Sequence, residues 1–147
     1  MSAGPAQVDP RGPRFAAWVT TVVLAVVLVT GWWPLLAAQA VVFAIGAFAG
    51  LGVAPYSILY RTLVAPRLQS TGEREDTAPL RFAQGVGFGF AVLGVLGYAT
   101  GVTALGIVAT AFALAAAFLN AAFAFCLGCE TYLLIRRITP TKEKALQ

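Results

Sequence analysis

The residues best suited to chemistry are two cysteines separated by two residues. Cys126 and Cys129 are the only cysteines in a chain of 147 residues. At positions i and i+3 of a helix the two thiols lie on one face, and Gly128 between them loosens the backbone enough for a bridge or a shared ligand. Such a pair can exchange a disulfide or carry sulfur, supply half of a metal site completed by another chain, or fill small apolar spaces. The spacing alone leaves all three readings open.

Charged residues follow the pair on the same predicted helix face. Glu130 lies four residues after Cys126 and is a candidate modulator, because its carboxylate can accept a proton or oppose a thiolate. Arg136 and Arg137 lie about 10 Å away, near the screening length in physiological salt, so they would help a thiolate only modestly. A position late in a helix also disfavours a thiolate, and a reducing cytoplasm favours free thiols over a structural disulfide.

Histidine is absent from the sequence. This absence removes the commonest metal ligand and the usual general base at neutral pH, which argues against haem and against Ser-His or Cys-His catalysis. We therefore expect no cofactor, no metal site within the chain and no stand-alone enzyme.

The composition is that of a membrane protein. Hydrophobic residues make up 59% of the chain and charged residues only 11%, whereas soluble domains carry about 25% charged residues. No Asp, Glu, Lys or Arg occurs between Phe15 and Tyr60 or between Phe82 and Cys129. Each run is long enough for two crossings, because a spanning helix needs about 20 apolar residues.

These runs predict an all-α integral membrane four-helix bundle built from two transmembrane hairpins. Pro34, after a pair of tryptophans, and Gly101 mark the two outer turns. The predicted segments are an arm over residues 1–14, a single transmembrane domain over 15–135 with helices at 15–33, 35–54, 82–100 and 103–129 and a loop at 55–81, and a tail over 136–147.

The distribution of charge predicts the orientation. All ten basic residues lie in the arm, the central loop and the tail, and short basic segments are retained in the cytoplasm. Both termini and the cysteine pair should therefore face the cytoplasm of a bacterial inner membrane. The net charge of +4 then indicates orientation and attraction to lipid, with no nucleic acid as partner. An alternative, a signal peptide cleaved after residues 38–40, has too long an apolar stretch.

Small residues should hold the helices together, because lipid supplies no hydrophobic force between them. Asn120 is most simply an interhelical hydrogen-bonding residue, with contact to a solute as the alternative. The apolar runs before Cys129 contain no carboxylate, histidine or basic side chain, which weighs against an ion-coupled pump. Three pairs of glycines have the G-x-x-x-G spacing expected of close helix packing: Gly46 with Gly50, Gly85 with Gly89, and Gly97 with Gly101. They serve either the bundle itself or an interface in a homo-oligomer or larger complex.

Several stretches resemble one known family. The stretch 119–132, which contains Leu-Asn-Ala and Cys-x-Gly-Cys, resembles the closing signature of a family of small bacterial integral membrane proteins described as a domain of unknown function. Residues 8–11, 60–61, Pro66 and 79–85 are similar to its other landmarks. Members of that family are often encoded beside thioredoxin-like proteins and rhodanese-type sulfurtransferases. The resemblance thus points the cysteines toward thiol or sulfane-sulfur traffic with such a soluble partner.

Three hypotheses follow. The first is a membrane protein whose cytoplasm-facing cysteine pair relays disulfides or sulfane sulfur to a soluble thioredoxin-like or sulfurtransferase partner. The second is a non-catalytic packing or scaffold subunit of a larger membrane complex. The third is a passive conduit for a small sulfur anion.

Overall fold

The structure is a computed structural model that describes residues 7–8, 11–50, 53–64, 75–123 and 125–138. Apart from one pair of two-residue strands, the elements in these residues are helices, which confirms the prediction of an all-α protein. The elements are β1 (Gln7–Val8), α1 (Arg11–Thr30), α2 (Trp33–Ala44, continued by a π-helical turn over Ile45–Ala49), α3 (Pro55–Leu59, continued by a π-helical turn over Tyr60–Val64), β2 (Glu75–Asp76), α4 (Thr77–Thr100), α5 (Thr103–Phe123) and α6 (Leu127–Ile138). The strands pair antiparallel, Gln7 with Asp76 and Val8 with Glu75.

Short glycine turns join the long helices into hairpins. Gly31 has a φ of 67°, which glycine adopts without steric cost, and its N–H donates to the Val27 carbonyl at 2.6 Å. Pro34 lies in the first turn of α2, where its missing N–H costs no hydrogen bond. The second hairpin turns at Gly101, with a φ of 89°. Helix ends therefore differ from the predicted ones by a few residues, because proline begins α2 instead of separating two helices.

The core lies where α1, α2, α4 and α5 meet. Its buried apolar residues include Leu24 and Val27 of α1 and Leu36 of α2, each with no exposed surface. Ala91 of α4 and Ala113 of α5 complete the same cluster. Small residues on α4 and α5 facing branched ones on α1 and α2 allow close packing of the helix backbones.

Arginines bind the carbonyls at two helix ends. The Arg14 guanidinium donates to the Ala121 carbonyl in the last turn of α5 at 3.0 Å. The Arg81 guanidinium donates to the carbonyls of Ala47 and Phe48 at 3.0 and 3.2 Å. The last carbonyls of a helix have no intrahelical partner, and a cation there also complements the helix dipole.

Within the described part of the chain, three helices are long and apolar enough to cross a membrane: Arg11–Thr30, Ala78–Thr100 and Thr103–Phe123. The helical stretch Trp33–Ala49 is apolar but shorter. Large apolar side chains cover the outer faces of these helices, for example Val29, Phe48 and Phe112, which are 86%, 71% and 60% exposed. Apolar surface on this scale is typical of a protein that meets lipid.

The prediction of one helix over residues 103–129 is wrong. Helix α5 ends at Phe123, and α6 begins only at Leu127. At the break the Phe125 N–H donates to the Leu119 carbonyl, six residues earlier, at 3.2 Å, a wider turn than an α-helix makes. The Ala121 carbonyl in the same turn is bound by Arg14.

Candidate functional site

Cys126 lies at the start of a helix, not near the end of one. It is the residue directly before α6, and its carbonyl accepts the N–H of Glu130 at 3.0 Å. Its Sγ accepts the backbone N–H of Cys129 at 3.1 Å, so the sulfur occupies the capping position usually taken by a Ser or Asp oxygen. The free N–H groups and dipole at a helix start stabilise a thiolate. This reverses the effect expected from a position late in helix four.

The two cysteines are joined in a disulfide. The structure therefore describes the oxidised form of the pair, whereas free thiols were expected. The Cα atoms of Cys126 and Cys129 are 5.2 Å apart, within the range that a disulfide spans. Both residues are only partly buried, so the rest of the described chain does not enclose the bond.

Gly128 seats the start of α6 on α4. A Cβ on Gly128 would lie 2.5 Å from the Cβ and 2.6 Å from the Cα of Ala83, which no side chain tolerates. Farther along α6, the rings of Tyr132 and Phe82 pack with centroids 5.6 Å apart. The glycine in the Cys-Leu-Gly-Cys sequence thus has a specific function: it lets the helix that carries the cysteines lie against α4.

The charged neighbours of the pair are exposed. Glu130 is in the first turn of α6, and its backbone N–H donates to the Cys126 carbonyl. Arg136 lies in the last turn, donates to the Tyr132 hydroxyl at 3.0 Å and stacks on that ring. Arg137 is also in that turn and exposed. The structure therefore assigns the arginines to the far end of α6, away from the sulfur atoms.

A cavity of about 320 Å³ lies beside the pair, among all six helices. Cys126 is in its wall, and Cys129 is not among the residues that line it. Its apolar wall includes the aromatic rings of Phe43, Phe90 and Phe112. Ligand pockets in proteins measure about 300–1,000 Å³, so this space suits a small molecule.

Polar side chains also reach this cavity. Asn120, predicted as an interhelical hydrogen-bonding residue, lines it together with Gln84, Thr20 and Ser57. None of these four side chains hydrogen-bonds to another residue in the part of the chain that the structure describes. Asn120 thus faces the cavity and makes no hydrogen bond to another helix among the described residues.

Tyr56 forms the best-defined polar contact near the cavity. Its hydroxyl donates to Gln39 Oε1 at 2.6 Å, and the Gln39 side chain is only 1% exposed. Burial raises the pKa of Tyr56 above its usual value, so the phenol remains a hydrogen-bond donor at neutral pH. This contact joins α3 to α2 and fixes one side of the cavity.

The predicted packing glycines divide into two groups. Gly46 lies against Gln84 and Gly97 against the backbone of Gly106, so both allow close approach inside the chain. The others do not pack tightly: Gly85 makes ordinary contact with Ala47, and Gly89, Gly50 and Gly101 have open space around them, the last two at positive φ. Close approach also occurs at glycines outside the predicted set, namely Gly87 against Phe43, Gly94 against Leu36, Gly106 against Tyr98 and Gly128 against Ala83.

A spacing signal could have found part of that second group. Ala83, Gly87, Ala91 and Gly94 recur every three or four residues and so lie on one face of α4. The G-x-x-x-G pattern does not detect this stripe, because alanine occupies alternate positions in it. No comparable signal marks the break before Cys126, where proline is absent and the only glycine lies inside α6.

The fold and site define a small helical protein with three helices fit to cross a membrane and a cysteine pair at the start of a short helix. Residues 8–137 match the family described as Domain of unknown function (DUF4395), and the chain belongs to this family. Neither a curated protein nor a solved structure matches the chain.

Proposed function

We propose that this chain is a multi-pass protein of the bacterial cytoplasmic membrane whose Cys126–Cys129 pair exchanges disulfides with a soluble thiol protein. The observation that carries the proposal is the place of Cys126 before α6, with the Cys129 N–H on its sulfur at 3.1 Å. Cys126 is then the attacking thiolate, and Cys129 is the resolving thiol.

Four crossings with both termini in the cytoplasm form the topological part of the proposal. Three long apolar helices support it. The stretch Trp33–Ala49 has 17 residues, the lower end of the range for a spanning helix of about 17–25. Arg14 and Arg81, which cap helix ends, belong to the basic segments assigned to the inner side.

Helix α6 is suited to the membrane surface. Leu127, Leu134 and Ile138, spaced by seven and four residues, lie on one helix face and are 40%, 54% and 69% exposed. Arg136 and Arg137 end the helix. A short helix with one apolar face and basic residues lies in the interfacial plane of a bilayer. The cysteine pair at its start is then within reach of a soluble partner.

The partner is a protein with a redox-active thiol, thioredoxin-like or a sulfurtransferase. A thioredoxin-like dithiol reduces the Cys126–Cys129 disulfide through a mixed disulfide and becomes oxidised itself. A persulfide donor would instead place a sulfane sulfur on Cys126. The disulfide in the structure favours the first reaction.

The rival functions meet different structural demands. A scaffold subunit needs packing glycines on an outer surface; Gly46 and Gly97 pack within the chain, whereas Gly85 and Gly89 do not and remain available for such an interface. A conduit for a sulfur anion needs positive charge along its path, and the described residues around the cavity include no Lys or Arg.

Single-cysteine variants test the proposal. The Cys129→Ser variant keeps Cys126, and Cys126→Ser keeps Cys129 with a serine that still caps α6. Each purified protein, in lipid nanodiscs, receives a single-cysteine thioredoxin activated with Ellman's reagent, and release of thionitrobenzoate gives the rate. We expect Cys129→Ser to react at least about tenfold faster, the effect of a stabilised attacking thiolate at neutral pH.

Two outcomes would count against this assignment. Equal rates in the two variants would show that the helix start does not activate Cys126. Rates no higher than in detergent-denatured protein would show that neither cysteine is specially reactive. Topology is tested separately by labelling the cysteines with a membrane-impermeant maleimide, with and without prior reduction. Reduced inverted vesicles should label and intact cells should not; labelling in intact cells would refute the orientation.

A further inference from the structure

The cavity beside the cysteine pair reaches Cys126 from within the helix bundle. At about 320 Å³ it is at the small end of ligand pockets, enough for one substituted ring but not for a whole lipid. Cys126 lines it, whereas Cys129 does not. A molecule bound there meets the sulfur that the helix start activates.

The lining selects a neutral ligand that accepts hydrogen bonds. The described residues around the cavity include no Asp, Glu, Lys or Arg, so an ion would find no charged partner among them. Thr20 lines it, is only 5% exposed, and its hydroxyl has no hydrogen-bond partner among the described residues. The amide groups of Asn120 and Gln84 likewise have no hydrogen-bond partner among the described residues. These hydroxyl and NH₂ groups can donate to carbonyl oxygens of a ligand.

The aromatic wall selects a flat ring that arrives from lipid. The rings of Phe90 and Phe112 lie 6.0 Å apart at an interplanar angle of 33°, and Phe43 also lines the cavity. Phe112 is at the same time 60% exposed, so this residue belongs both to the cavity wall and to the apolar outer surface of the bundle. A hydrophobic molecule dissolved in the membrane can enter there without crossing water.

We propose that the cavity binds the ring of a membrane quinone, which reoxidises the cysteine pair. A quinone is neutral and flat, carries two carbonyl acceptors and takes two electrons. In the reaction the two S–H bonds of Cys126 and Cys129 break and their S–S bond forms. The two electrons and two protons pass to the quinone, whose carbonyl oxygens become the hydroxyls of a hydroquinone. This inference rests on the proposed function, because it supplies the oxidant for a pair that a soluble dithiol reduces.

The test follows quinone reduction by the full chain. Protein in nanodiscs is reduced, freed of reductant and mixed under anaerobic conditions with duroquinone, whose four ring methyl groups leave no ring C–H for a thiol to replace. Loss of quinone absorbance and loss of alkylatable thiols are measured together. We expect one hydroquinone per disulfide formed, and a rate that saturates with quinone concentration.

Neighbouring alanines of α5 provide a matched pair of variants. Ala116 lines the cavity, whereas Ala115 does not and is exposed. Ala116→Leu should slow quinone reduction at least about tenfold, equivalent to 1.4 kcal/mol, and Ala115→Leu should leave the rate within about twofold. Thr20→Val removes a donor at constant shape and should weaken apparent quinone binding.

The exchange assay with activated thioredoxin is run on the same preparations, so the two proposals fail separately. Normal exchange in Ala116→Leu with slow quinone reduction supports the quinone site. Normal exchange in the unmodified chain without quinone reduction, or equal rates in both alanine variants, overturns the quinone site and leaves the exchange function standing. Loss of exchange in the unmodified chain overturns both.

Discussion

Gly128 offers the sharpest test of how the cysteine pair is held. Alanine at this position would place its Cβ 2.6 Å from the Cα of Ala83, whereas carbon atoms in contact lie about 3.5–4.0 Å apart. Helix α6 must therefore move away from α4 by about 1 Å. Because the obstructing atom belongs to the backbone, no change of rotamer can relieve the overlap.

The magnitude follows from two opposing effects. Overpacking costs about 1–3 kcal/mol, while alanine gains up to about 1 kcal/mol over glycine in a helix. The net loss for Gly128→Ala is then about 0.5–2 kcal/mol, which lowers the melting temperature by about 1–8 °C in a chain of this size. Movement of α6 also draws Cys126 from the cavity wall, so quinone reduction should fall more than thiol exchange in solution.

Gly89→Ala is the matched control. Gly89 lies within α4 with nothing close to the position of its missing Cβ, so alanine there should keep or slightly raise the melting temperature. Thermal unfolding is followed by circular dichroism in one detergent, and both cysteine assays are run on each variant. Equal melting temperatures and equal rates for Gly128→Ala and the unmodified chain would refute the contact between α6 and α4.

Two further predictions concern contacts that position the site. Tyr56→Phe leaves the buried Gln39 side-chain oxygen without its donor and should lower the free energy of unfolding by about 1–3 kcal/mol. Because burial raises the pKa of Tyr56 in the folded state, this contribution is complete below about pH 10 and disappears as the pH rises through the raised pKa. The melting temperatures of the variant and the unmodified chain should therefore converge in strong alkali, and a constant gap would contradict this. Arg14→Gln removes the charged donor from the Ala121 carbonyl and should lower the melting temperature by about 2–4 °C, while Arg137→Gln, at an exposed position near the end of α6, should not; equal shifts would show that charge alone matters.

Composition and periodicity predict most of the helical fold. Long uncharged runs and the turn at Gly101 place α1 within a few residues of its observed ends and predict the end of α4 at Thr100 and the start of α5 at Thr103. The helix break before Cys126 was missed, because it depends on partners distant in sequence. Arg14 satisfies a carbonyl of α5, and Ala83 provides the surface that holds Gly128.

The candidate site divides in the same way. Sequence spacing identifies Cys126 and Cys129 as the pair with chemical potential. The electrostatic field at the two cysteines depends on which end of a helix they occupy, and tertiary contacts decide where that helix begins. The cavity arises where side chains from six helices leave space, so no local sequence pattern predicts it. The sequence identifies Asn120 only as a polar residue in an apolar run.

The shortness of α2 has a consequence for the surrounding lipid. Trp33–Ala49 spans about 26 Å at 1.5 Å per residue, against about 36 Å for the 24 residues of α4. In the proposed topology, where α2 is one of the four crossings, a bilayer with a hydrocarbon core of about 30 Å would thin beside α2 and match α4 by helix tilt. Arg81, bound to carbonyls at the end of the short helix, would then mark the place where headgroups are drawn inward. Hydrophobic mismatch of this kind predicts greater thermal stability in shorter-chain phosphatidylcholines than in long-chain ones, and sorting toward thin regions of a membrane.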